Sequence, residues 1–117
     1  MKKINIVKEK KDFDKAFKIR NQKYSKYAYI YINDNKLKIH RFGICVSKKI
    51  GNAVTRNKLK RRVKDIIDKS QLQFLNKDYI IVLRKSIIDS SYEELKNDLI
   101  SVLSLINERE KKYEENK

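Results

Sequence analysis

A two-layer α+β domain, with helices packed on one sheet, is the fold class that this 117-residue sequence predicts. Three observations lead there. Tyr27-Ala28-Tyr29-Ile30-Tyr31-Ile32 alternates strictly and is aromatic and β-branched, as a strand with two dissimilar faces should be. Tyr79 to Leu83 is an almost unbroken apolar run of strand length, as in a strand covered on both sides. Two longer stretches, after Gly51 and after Ser91, repeat apolar residues at helical spacing.

Taken in order, Asp12 is placed to cap a first short helix that runs to about Arg20, with Phe13, Ala16 and Phe17 on one side. The Tyr27–Ile32 strand ends in an Asn33-Asp34-Asn35 turn. A second strand, Arg41 to Ser47, sets Phe42, Ile44 and Val46 on one face and Gly43, Cys45 and Ser47 on the other. The two strands are expected to form a hairpin. A helix beginning near Asn52 to Thr55 and running to about Lys69 buries Leu59, Val63, Ile66 and Ile67. After the Tyr79–Leu83 strand, Ser91 and Glu94 have capping-box spacing. Tyr92, Leu95, Leu99, Val102, Leu103 and Ile106 then supply the stripe of a last helix, and Glu108 onward reads as a charged tail. No repeat, linker or low-complexity segment interrupts the chain, so residues 1–117 are expected to form one domain.

Charge narrows the function. Thirty Lys and Arg face fifteen Asp and Glu, a formal +15 that selects polyanionic partners. Residues 1–64 hold 21 cations against 4 carboxylates, net +17, and residues 65–117 hold 9 against 11, net −2. From Lys36 to Lys64 there are eleven Lys or Arg and no carboxylate, where a merely solvated surface intersperses both signs. The lone Cys45 provides neither a disulfide nor a zinc cluster. No stretch has the apolar run of a signal peptide or a membrane span, so a cytoplasmic location without membrane contact is expected.

At 100° per residue, with Arg56 at the origin, Lys60, Lys64, Asn57 and Arg61 fall at about 40°, 80°, 100° and 140° on the helix wheel, beside the apolar arc. These groups should lean over the sheet's edge and bound a groove with it. Its floor would be the Tyr27, Tyr29 and Tyr31 face, with space left by Gly43, Cys45 and Ser47, and Phe13 and Phe17 would form a wall. Rings beside cations hold single-stranded nucleic acid without reading its sequence. The same features have plainer readings: strand tyrosines often serve only as core, Cys45 suits a small buried residue, and His40 suits ordinary surface. Protein-catalysed phosphodiester hydrolysis calls for gathered carboxylates with metal or a His acid/base pair. The basic half offers only Glu9, Asp12, Asp14 and Asp34, and the chain has a single His.

The run Ser47-Lys48-Lys49-Ile50-Gly51-Asn52-Ala53-Val54-Thr55-Arg56-Asn57-Lys58-Leu59-Lys60-Arg61 resembles the signature of bacterial ribonuclease P proteins, centred on an Arg-Asn-Arg helix. The likeness extends to Phe13 and Phe17, to Tyr31, and to Asp78-Tyr79-Ile80-Ile81-Val82 followed by Arg84-Lys85. Lys58 replaces the third residue of Arg-Asn-Arg, and Lys64 stands where the family often has Arg. Each keeps the charge but lacks the planar bidentate fork.

The resemblance implies about four strands with three helices and a left-handed β-α-β crossover, an exception to the usual hand. It implies a subunit of a tRNA-processing endoribonuclease that binds precursor tRNA and a catalytic RNA, one protein to one RNA, and broadens the substrate range. Chemistry would belong to that RNA and its Mg2+, with no cofactor on the protein and no catalytic side chain. On this reading Phe13, Phe17, Tyr29, Tyr31, Lys48, Arg56, Asn57, Lys60, Arg61 and Lys64 hold the 5′ leader, while Lys49, Asn52, Lys58 and Arg62 face the catalytic RNA. A ribosome-associated structural RNA-binding protein fits the charge equally well. A DNA-binding regulator using the basic helix, or a self-sufficient nuclease, fits the other features less well.

Overall fold

The computed structural model describes residues 1–116. Helix α1 spans Lys10–Ile19, strand β1 Gln22–Tyr24, β2 Ala28–Asp34, β3 Arg41–Cys45, helix α2 Ala53–Lys69, β4 Lys77–Leu83 and α3 Tyr92–Glu115. The sheet order is β1-β2-β4-β3; β3 and β4 run parallel and the other pairs antiparallel. Helices on a four-stranded mixed sheet give the expected α+β class.

The expected hairpin does not form. β4 lies between the two strands, so that Ile80 pairs with Tyr31 on one side and with Gly43 on the other. The most continuously apolar strand takes the centre, where both of its edges and both of its faces are covered. β3 and β4, being parallel neighbours, are joined by the crossover that such a pair requires, with α2 as its helix. The connection after β2 is held by Asn35, which donates to Ile39 O and to Asp78 Oδ1. On the outer edge of β3, Val7 N donates to Phe42 O at 2.8 Å, which covers part of an otherwise unpaired strand.

One sheet face carries the main core. Ile30, Ile32, Phe42, Tyr79, Ile81 and Leu83 pack there against the predicted stripes of α2 and α3. The other face carries α1 and the segment before it: Val7 and Ala16 are buried with Ile80, with Phe13, Phe17, Tyr31, Cys45 and Val82 half-buried around them. The α2 cap is Asn52, which accepts from Thr55 N, and Ser91 with Glu94 forms the capping box that starts α3.

Three local expectations change. Asp12 is not a cap; Glu9 precedes α1 without a side-chain bond, and Asp12 sits in the first turn 3.4 Å from Arg41. Tyr27 leaves the tyrosine face. It lies in the turn before β2, outside the two-residue alternation, and is buried in the main core, its N–H held by Asp98 and its hydroxyl 3.4 Å from Glu94. Residues 108–115 of the expected tail are instead the last turns of α3, and Lys117 lies outside the described residues. In those turns Glu110 is buried and accepts from Asn21 at 2.7 Å, and Glu114 pairs with Lys77. Among the described residues no helix is long and apolar enough to cross a membrane.

Candidate nucleic-acid interface

The register arranges the α1 face of the sheet in rows. Gln22, Tyr31, Ile80 and Gly43 stand abreast across β1, β2, β4 and β3, and two residues along, so do Tyr24, Tyr29, Val82 and Cys45. α1 covers the first row. Phe17 meets Tyr31 edge-on at 5.0 Å, and the Phe13 ring lies so close over Gly43 that a Cβ there would stand 2.5 Å from it. Gly43 therefore receives a ring, and does not leave the open space that its size suggested. The second row lies beyond α1. It makes an open shelf about 14 Å wide at strand spacing, with Tyr24 and Tyr29 exposed and Val82 and Cys45 half-buried.

Cations stand at both ends of this shelf. At the β3 end, burial pushes the Cys45 thiol up, and the positive charge of Lys60 works against that shift. Lys60 of α2 is thus close enough for its field to reach the sheet face. Lys64 follows one turn later on the same flank, and Arg56 precedes it with its Nε buried and unbonded. A buried polar atom without a partner costs about 1–3 kcal/mol, and here it falls within the signature run. At the β1 end the Arg84 guanidinium lies 5.1 Å from the centre of the Tyr29 ring.

Not every expected residue joins them. Arg61 turns away from the sheet and lines a concavity with Lys58, Arg62, Asp65 and Tyr92, where α2 meets α3. Asn57 is exposed on α2, and Lys48 and Lys49 are exposed in the turn before it, where Lys49 N donates to Ser47 Oγ. The side chain of Asn52 is committed to its capping bond. His40 is not free surface: its ring packs 5.7 Å from Phe42 and 5.5 Å from Phe74, and burial lowers its pKa. Tyr24 was missed because three residues of strand are too few to show a period; Arg84 lay within the quoted signature, but nothing tied it to the tyrosines.

The Ribonuclease P family model matches residues 1–107. The chain belongs to the ribonuclease P protein family. It is 36% identical over 105 residues to the ribonuclease P protein component of Streptococcus thermophilus, covering 90% of this chain and 95% of that one. The Streptococcus pyogenes component is 38% identical over 114 residues, 97% of this chain and 96% of its own. Among solved structures, a mutant RNase P protein from Staphylococcus aureus superposes with a TM-score of 0.82 at 32% identity, over 89% of each chain. The RNase P protein from Thermotoga maritima does so with a TM-score of 0.75 at 26% identity, over 83% of this chain and 95% of that one. The fold is thus the ribonuclease P protein fold.

Carboxylates in the basic half of this family member are mostly engaged in pairing. Glu9 pairs with Lys11, Asp12 with Arg41, and Asp34 with Lys77. Among the described residues, no group of three or more His, Cys, Asp or Glu is placed to hold a metal ion.

Proposed function

We propose that this chain, as the protein subunit of the tRNA-processing endoribonuclease ribonuclease P, holds the unpaired 5′ leader of precursor tRNA on the α1 face of its sheet, along the open row and the half-buried Tyr31 beside it. The carrying observation is the meeting of Tyr29 and Tyr31 with cations at both ends of the one sheet face that α1 leaves partly bare. Bases stack on the rings, at about 1–3 kcal/mol each, and phosphates are met by Lys60 and its neighbours on α2. Phe17 sets the orientation of the Tyr31 ring, and Phe13 closes the space over Gly43.

Lys58, Arg61 and Arg62 present a second cationic surface, on the side of α2 away from the sheet, suited to a folded RNA backbone. Arg61 thus moves from the leader to the catalytic-RNA side of this reading. Hydrolysis is assigned to the RNA partner and to Mg2+ held by its phosphates, in a complex of one protein and one RNA in the cytoplasm. By adding leader contacts that do not depend on tRNA sequence, the protein would broaden the substrate range.

The test is reconstitution. Adding the chain to a bacterial ribonuclease P RNA at low magnesium should raise precursor tRNA cleavage, and the chain alone should cleave nothing. No gain with the RNA present would defeat the proposal.

A further inference from the structure

β1 was not visible in the sequence, yet it lengthens the shelf. Tyr24 pairs in register with Tyr29, their ring centres are 6.1 Å apart, and Tyr24 is 69% exposed. Tyr29 is 37% exposed, with the Arg84 guanidinium 5.1 Å from its ring centre. Arg84 is fixed beside them: one guanidinium N–H donates to Ser25 O at 2.7 Å, and no carboxylate pairs with it among the described residues. Ser25 is itself anchored, its hydroxyl donating to Asp98 of α3 at 2.7 Å. The cation is therefore preset next to two rings, and Lys23, Lys26 and Lys85 lie in the adjoining positions of the chain.

From these observations we infer that Tyr24, with Tyr29 and Arg84, forms a further stacking position for single-stranded RNA at the β1 end of the sheet. It extends the bound strand past the Phe17–Tyr31 pair. The inference rests on the sheet-face reading above and adds a residue and a reach to it. Positive charge and exposed rings favour an unpaired polyanion with bases. A duplex would bury its bases from the rings, and an acidic peptide would leave them unused.

Binding of oligoadenylates of increasing length by the full chain, at salt high enough to suppress purely ionic attachment, tests it. Affinity should rise with length and then level off. Tyr24→Ala should lower the plateau roughly 5- to 150-fold, the worth of one stacked base. It should reach that plateau at a shorter length and leave the shortest oligomers unaffected, and Tyr24→Phe should restore the wild-type curve. An unchanged plateau in Tyr24→Ala, beside a weakened one in Tyr31→Ala, would overturn the inference and leave the sheet-face reading standing. Equal losses at every length, or no rescue by Phe, would overturn it too. If Tyr31→Ala also binds as wild type, the sheet-face reading itself fails.

Discussion

Arg41 shows how single residues hold this site in place. Its guanidinium grips Asp78 through two bonds of 2.8 and 2.7 Å, with Asp12 of α1 at 3.4 Å, so one side chain ties β3, β4 and the helix that covers the first row. Asp78 is only 2% exposed. Removing its partner strands a buried charge, and Arg41→Ala should cost about 3–5 kcal/mol in denaturant unfolding, whereas an exposed pair would cost under about 1 kcal/mol. Tyr79 gives a second check. Burial, the largest influence on it, pushes its phenol up to about 12, and its hydroxyl accepts from Leu75 N and donates to Asn107 Oδ1. Between pH 10 and 12 the folded chain keeps a proton that the unfolded chain releases, so this contribution is whole below pH 10 and is lost as pH rises through that window. Stability measured across it should fall less steeply in Tyr79→Phe than in the wild type.

At the scale of elements, the sequence showed helices more clearly than strand neighbours. The α2 boundaries, the α3 capping box, both long helical stripes and the face assignments of Phe42, Ile44, Gly43 and Cys45 were legible because each depends on spacing within one segment. Pairing depends on competition between segments. Nothing within Tyr27–Ile32 or Arg41–Ser47 states that a strand more than thirty residues later will separate them. The end of α3 was misread for a related reason: its charged residues look solvent-bound until Lys77 and Asn21 are brought beside them. Arg61 lines the concavity beside Tyr92, which the wheel did not show, because 140° does not say which neighbour stands on that side, and α3 does. This yields a prediction at the same scale. Lys60→Ala removes the influence that lowers the Cys45 pKa, so the pH profile of Cys45 alkylation should move upward, while Arg61→Ala should leave it in place. Equal shifts from both would contradict the α2 orientation.

For the whole molecule, the division of charge seen in the sequence becomes a division of surfaces. The basic first half contributes α1, β1 to β3 and the α2 flank, and the net −2 second half contributes β4 and α3. The main core lies on one side of the sheet and the proposed leader surface on the other, so on that reading most core side chains are not shared with RNA. The family's signature was legible before any coordinates, whereas the open row was not, since it exists only once four strands are in register. The most direct measurement compares the affinity of the reconstituted holoenzyme for precursor tRNA and for mature tRNA, in wild type and in Tyr31→Ala. Wild type should favour the precursor, and Tyr31→Ala should lose most of that preference by weakening precursor binding alone. A preference that survives unchanged in the variant would contradict the claim that this sheet face holds the leader.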